Sequence, residues 1–188
     1  MILYIKNMVC NRCKTAVATE IESVGITYRS IQLGEVIVIG LPTDAQINLL
    51  KPRLEKLGFE LLDNVRQQWV ERIKTTIIEM VHYNKGEKRR ENLSHFLAQH
   101  LQKDYATLSS LFSDVEGTTI EHFHILQKIE RVKELLVYDE MNLSEIAFQT
   151  DYSSVSHLSH QFKKITGLTP THFKKIGNQK RNTLDAVR

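Results

Sequence analysis

The second half of the chain repeats itself at an interval of fifty residues. ENLSHFLAQHLQKDYATLSSLFSDVEGTTIEHF and MNLSEIAFQTDYSSVSHLSHQFKKITGLTPTHF match in register at Asn92/Asn142, Leu93/Leu143, Ser94/Ser144, Leu108/Leu158, Ser109/Ser159, Phe112/Phe162, Gly117/Gly167, Thr119/Thr169, His122/His172 and Phe123/Phe173. These identities in register imply two copies of one supersecondary unit. Whatever this half folds into must therefore house the same small motif twice.

Each copy reads as a short helix opened by an Asn cap, a tight turn and a second helix. In the first copy Leu97 and Ala98 end the short helix, Asp104 caps the next, and Leu108, Leu111 and Phe112 face inward. In the second copy Ile146 and Ala147 take that place, Ser153 or Ser154 caps, and Leu158, Phe162 and Ile165 face inward. Between the copies, TIEHFHILQKIERVKELLV reads as one continuous helix. Two helix-turn-helix units on a rigid helix can present two recognition helices to neighbouring major-groove segments, which lie one DNA turn, ~34 Å, apart.

Residues 87–176 resemble the DNA-binding domain of the AraC family of bacterial transcription regulators. The second unit carries the resemblance most closely, through its I-A pair, its aromatic-Ser turn, L-S-x-x-F-K-K and the closing G-x-T-P-x-x-F. The resemblance implies that the outer face of each second helix reads bases. In the second unit those positions are Val155, Ser156, His157 and His160, with Lys163 and Lys164 serving phosphates. In the first they are Ala106, Ser109 and Ser110, and Asp114 and Glu116 beside them repel phosphate. Arg and Asn, which read bases directly, are missing from the first set, so the second unit is expected to carry most specificity. Where the family usually has Gly in each turn, Gln102 and Asp151 stand instead, at a strain of about 1 kcal/mol for an unchanged backbone. His157 and His160, at i and i+3, are open to base contact, an inert polar face or metal ligation, while His122 and His172 are expected to pack or cap.

The first half is built differently. MILYIK alternates like a strand; Asn11 to Val24 has helical spacing, with Val17, Ile21 and Val24 on one face and Gly25 at its end. ITYRSIQL and EVIVIG flank Gly34 as a hairpin, Thr43 or Asp44 caps a helix with Ile47, Leu50, Leu54 and Leu57 inside, and FELLD follows Gly58 as a fourth strand. The order βαββαβ over residues 1–64 matches a ferredoxin-like domain. The fold class is thus α+β, a ferredoxin-like domain followed by an all-α domain. Residues 65–86 form a linking helix striped by Val65, Trp69, Ile73, Ile77, Met80 and Val81. The domain of residues 87–176 begins within the charge run KGEKRREN, and residues 177–188 form a basic tail.

Cys10 and Cys13, the two cysteines of the chain, stand in NMVCNRC, with Cys10 in the loop after the first strand and Cys13 in the first turn of the first helix. A helix N-terminus stabilises thiolate. Two thiolates suit Cu(I) or another soft ion that accepts low coordination, whereas Zn(II) seeks two further ligands, and this half holds no other Cys and no His. A reversible thiol-disulfide couple and an inert pair are the alternatives. M-V-C-N-R-C on this fold order resembles the heavy-metal-associated domain of copper chaperones and copper-pumping ATPases, whose motif is M-x-C-x-x-C. That resemblance implies Cys10 and Cys13 as metal ligands, Met8 as a core residue and Phe59 in the loop near the metal. The usual Gly and Thr around the Met are Asn7 and Val9.

The net charge of +3 is uneven: residues 163–188 hold seven basic groups against the single Asp185, hence +6, which suits a polyanionic partner. Without a signal peptide or a long apolar run, the chain is expected to be cytoplasmic. No nucleophile elbow, phosphate loop or HExxH motif is present, and no enzyme activity or organic cofactor is expected. The function expected is sequence-specific binding of duplex promoter DNA under control of a soft metal at Cys10 and Cys13. A homodimer through the N-terminal domain or the linking helix is an expected partner state. The alternatives are a thiol-redox-responsive regulator and a metal carrier or buffer whose C-terminal half docks to a protein.

Overall fold

The alternation at the start of the chain becomes strand β1 (Ile2–Lys6), with Leu3 and Ile5 turned into a core. It is followed by α1 (Asn11–Ser23), β2 (Tyr28–Gln32), β3 (Glu35–Val38), α2 (Asp44–Lys56) and β4 (Glu60–Leu61). The computed structural model describes residues 1–83 and 92–176, and the chain divides into two units, residues 1–75 and 76–188.

In the first unit the strands lie in the order β2-β3-β1-β4, and every neighbouring pair is antiparallel. Leu3 stands opposite Val36 and Ile5 opposite Leu61. Period two sends Leu3, Ile5, Val36 and Val38 to one face, where Val17 and Ile21 of α1 and Leu50 and Leu54 of α2 close over them. Met8 is fully buried in this core, and Phe59 is buried there too. Thr43 caps α2 in a reciprocal box with Gln46, whose amide also donates to the carbonyl oxygen of Gly25 at 2.9 Å. Gly34 turns the β2–β3 hairpin at φ +78°, and a Cβ there would stand 3.0 Å from Thr75 Cγ2.

Three expectations change in detail. β4 has two residues instead of the five of FELLD. Leu57 is exposed because α2 stops at Lys56, which leaves Leu57 outside the last helical turn. Val65 is exposed at the first position of α3 (Val65–Ile78), whose buried stripe includes Val70, Ile73 and Ile77. Arg72 of α3 pairs with Glu35 at 2.9 Å and lies over Trp69 at 4.4 Å.

α3 continues into a π-helical turn, Glu79–Tyr83. Residues 84–91, which hold most of the charge run, and residues 177–188, the basic tail with Lys180 and Arg181, lie outside the described residues. The second unit then contains α4 (Leu93–Leu101), α5 (Tyr105–Glu116), α6 (Ile120–Tyr138), α7 (Leu143–Gln149), α8 (Val155–Thr166) and α9 (Pro170–Ile176). Side chains of Asn92, Asp104, Thr119, Asn142, Ser154 and Thr169 accept backbone N–H bonds at the six helix starts. His122 and His172 supply two of those N–H groups and leave their rings exposed, so they neither pack nor cap with their side chains. The long α6 buries Ile120, Phe123, Ile129, Val132, Leu135 and Leu136 and packs against α5, α7, α8 and α9. Phe112 meets Phe123 at 5.7 Å in the first copy of the repeat, and Phe162 meets Phe173 at 5.5 Å in the second.

The copies differ by one residue in the turn. Lys103 N donates to Ala98 O, and Tyr152 N donates to Ala147 O, so these residues are equivalent at an offset of forty-nine. The caps Asp104 and Ser154 are fifty apart. Ser153 is thus the extra residue of the second turn, without a counterpart in the first.

The loop ahead of α1 has its own anchor. Asn7 adopts φ 71°, the conformation for which Gly is usual, and its side chain donates to Gly58 O at 2.9 Å while its backbone N–H donates to Glu71 Oε1 at 3.0 Å. Glu71→Ala is expected to lower the stability of the first unit by about 1–3 kcal/mol, because a partly buried N–H loses its acceptor. Denaturant unfolding followed through Trp69 fluorescence measures this; an unchanged midpoint contradicts it.

Candidate nucleic-acid interface and thiol site

Helical period places the residues of α8 on two faces. Leu158 and Phe162 are buried, whereas Ser156, His157, His160, Lys163 and Lys164 are exposed together on the opposite side. Val155, at the first position of α8, is half-buried and packs against the hydrophobic cluster that includes Leu158 and Phe162. Lys163 and Lys164 occupy the last turn, where positive charge also complements the helix dipole.

The equivalent face of α5 has other chemistry. Ala106 and Ser110 are exposed and Ser109 is half-buried. Beside them the Tyr105 hydroxyl donates to the Glu121 carboxylate, and the Thr107 hydroxyl and N–H both donate to Asp104. Burial, then the bond to Glu121, pushes the Tyr105 phenol up, and the Tyr105 hydroxyl holds Glu121 below the usual carboxylate range. With Asp114 exposed as well, this face carries acids and short hydroxyls and no long donor.

The turn of the second unit holds a group that helical spacing does not show. Asp151 adopts φ 53°, the left-handed conformation expected at the position where Gly is usual, and Gln102 does so in the first turn at φ 51°. Lys128 of α6 donates to the carbonyl oxygen of Asp151 at 2.9 Å and lies 3.9 Å over the ring of Tyr152. Tyr152 is buried, which pushes its phenol up, and its hydroxyl has no hydrogen-bond partner among the described residues. The ring of His157 meets Tyr152 edge to face at 5.2 Å and 89°, and its Nδ1 is 3.0 Å from Ser153 Oγ. The i, i+4 spacing of Ser153 and His157 is legible in the sequence; Lys128, more than twenty residues upstream, is not.

Cys10 is the N-cap of α1 and Cys13 its third residue, and their sulfurs are 3.2 Å apart in a half-buried pair. Burial pushes Cys10 up, but hydrogen bonds from the Cys13 thiol and from the backbone of Cys13 and Arg12, with the charge of Arg12, more than offset it and leave Cys10 below the ordinary thiol value. Burial and the bond to Cys10 leave Cys13 above it. The donor set is therefore two sulfurs at one helix start, and no group of three or more His, Cys, Asp or Glu able to hold a metal occurs among the described residues. That set fits an ion content with two sulfurs and does not complete a tetrahedral site within this unit.

Residues 97–176 match the model of the family described as a helix-turn-helix domain. Among solved structures, the C-terminal domain of AraT, a response regulator from Geobacillus stearothermophilus, is 22% identical at a TM-score of 0.50, covering 61% of this chain and 91% of that one. A DNA-binding transcriptional dual regulator from Escherichia coli K-12 is 20% identical at 0.49, covering 57% and 90%. A transcriptional regulator from Chromobacterium violaceum, described as containing an AraC-type DNA-binding domain, is 18% identical at 0.49, covering 58% and 96%. No curated protein matches the chain. Residues 97–176 thus carry a helix-turn-helix domain. Among the described residues, no helix is long and apolar enough to cross a membrane.

The opposite shifts of the two thiols give a measurable asymmetry. At neutral pH Cys10 is expected to react with iodoacetamide several-fold faster than Cys13, because the thiolate is the nucleophile and the lower pKa leaves more of it. Time-resolved peptide mass mapping reads the two rates, and equal rates contradict the assignment.

Proposed function

We propose that this chain is a sequence-specific regulator of transcription that binds duplex promoter DNA through its two helix-turn-helix units, chiefly the second, and answers to a soft metal ion such as Cu(I) at Cys10 and Cys13. The observation that carries the DNA reading is the exposed face of α8, where Ser156, His157 and His160 offer hydrogen-bonding groups and Lys163 and Lys164 offer charge, all on one side of a helix anchored by Leu158 and Phe162. The first helix-turn-helix unit contributes mainly position, through Ala106, Ser109 and Ser110, because its reading face lacks long donors and is flanked by acids.

The metal reading is supported by the donor pair and by the plan of the first unit. Two helices cross between strands of a sheet ordered β2-β3-β1-β4, the arrangement of a ferredoxin-like domain, and the thiols sit where its first loop enters a helix. A bound soft ion would supply a charge at that loop and tie its two sulfurs to one centre. The chain's own part is to offer one thiol already biased toward thiolate, beside Arg12, at the positive end of α1. The same 3.2 Å separation of the sulfurs favours a second reading, a thiol-disulfide switch at this loop. Neither reading assigns the chain an enzyme activity.

Two measurements on the full reduced chain separate these roles. Lys163→Ala/Lys164→Ala is expected to weaken binding to all duplexes alike and to reduce the slope of log K against log salt by about 1.8, at roughly 0.9 for each phosphate no longer neutralised; an unchanged slope counts against these lysines. Cu(I) titration against a competing chelator, with DNA affinity followed in the same samples, is expected to show one ion bound per thiol pair and a change in affinity that Cys10→Ser/Cys13→Ser abolishes. Equal binding by that double variant would refute the metal reading, and a response to glutathione disulfide alone would favour the redox one.

A further inference from the structure

We infer that His157 is the residue through which the second unit selects a base, that Ser153 and Tyr152 orient its ring, and that the base is guanine. This rests on the DNA-binding reading above and goes further by assigning the hydrogen-bond polarity of one side chain.

Three constraints act on the ring. Its backbone N–H is bound by the Ser154 cap at 3.1 Å, which fixes the start of α8 beneath it. Its plane stands at 89° to Tyr152, a buried ring that Lys128 of α6 covers from 3.9 Å. Its Nδ1 is bonded to Ser153 Oγ at 3.0 Å. An exposed histidine on a helix ordinarily samples several rotamers; this one is tied at the main chain, at the ring edge and at one nitrogen.

The bond to Ser153 takes up Nδ1 and leaves Nε2 as the free nitrogen of the ring. Neutral imidazole carries one proton, and the tautomer favoured in water places it on Nε2. A serine hydroxyl rotates to suit its partner, so in that tautomer Ser153 donates to Nδ1 and Nε2 is an N–H donor. His157 is exposed, and Nε2 has no partner among the described residues. A donor on a recognition helix selects an acceptor on a base edge. In the major groove guanine presents two adjacent acceptors, N7 and O6, whereas adenine sets one acceptor beside a donor, thymine offers one acceptor and cytosine only a donor.

The first unit lacks the device. Ser153 is the residue by which the second turn is longer, Tyr152 is replaced there by Lys103, and the position equivalent to His157 is Thr107, whose hydroxyl is already committed to Asp104. Two copies of one motif thus differ at the three positions that hold and aim this ring.

The test is selection of duplexes from a randomised library by the full reduced chain, comparing the natural sequence with His157→Ala, His157→Asn, Ser153→Ala and Ser153→Thr. All four substitutions keep the backbone N–H that Ser154 caps. The natural chain is expected to fix guanine at one position, and His157→Ala to lower that preference about tenfold while preferences elsewhere stay. His157→Asn is expected to move the position to adenine, which Asn reads through N6 and N7. Ser153→Ala is expected to weaken the guanine preference and Ser153→Thr, which keeps the hydroxyl, to restore it; a merely structural role would predict neither the switch nor the rescue. Duplexes recovered with the same base preference for His157→Ala overturn this inference and leave the DNA-binding reading standing. No duplex recovered by the natural chain overturns both.

Discussion

Burial of α6 is the constraint on which the second unit depends. A helix of nineteen residues, it packs against α5 on behalf of the first helix-turn-helix unit and against α7, α8 and α9 on behalf of the second. Such a helix must be apolar on more than one side, and Phe123, Ile129, Val132 and Leu136 supply that. Of its buried polar members, Glu130 pairs with Lys133 and the Gln127 side-chain oxygen lies 3.1 Å from His82 of the π-helical turn, while Gln127 Nε2 has no partner among the described residues. The Glu130–Lys133 pair avoids the cost of a buried charge left alone. Because α6 serves both units, an error in its packing would be felt at both recognition helices, whereas an error on the outer face of α8 would be felt only there.

The sequence shows the repeat, its caps and its inward residues because these depend on near neighbours. Asn92, Asp104, Asn142 and Ser154 cap their helices through bonds spanning three residues, and identities such as Phe112/Phe162 mark the same inward position twice. In the first half the alternation of β1 and the Gly34 turn are legible for the same reason. What escapes is set by distance in the chain. Nothing near Asp151 tells that Lys128 holds its carbonyl, and nothing near Asn7 tells that Glu71 accepts from its N–H. The single-residue difference between the turns shows in the sequence only as the offset of forty-nine that pairs Gln102 with Asp151, and it takes the backbone bonds that match Tyr152 to Lys103 to make Ser153 the extra residue. Exposure at Leu57 and Val65 escapes as well, because periodicity assigns a face without saying where the helix ends.

The two copies also separate in chemistry along the line expected of divided labour. One recognition helix is short of donors and flanked by carboxylates; the other carries histidines and lysines on a face backed by the buried Leu158 and Phe162. The thiol pair shows a comparable asymmetry at smaller scale, with two like side chains driven in opposite directions by a helix end, a neighbouring guanidinium and unequal burial. In both cases duplication of a residue or a motif leaves one member to hold and the other to react.

The helix caps have a consequence in time. Each helix of the second unit starts at a polar side chain bonded to its own first turn, and α4, α5, α6 and α8 end at residues with positive φ at or just beyond their last turn. Its boundaries are thus settled by contacts between near neighbours, the circumstance in which folding is fast. The first unit has the opposite character: β1 pairs with β3 more than thirty residues on and with β4 more than fifty on, so its sheet cannot close until Leu61 has been made. Although the strand at the start of the chain is synthesised first, its partners arrive last. The half that holds the thiols is slower to reach its final form than its early position in the chain suggests.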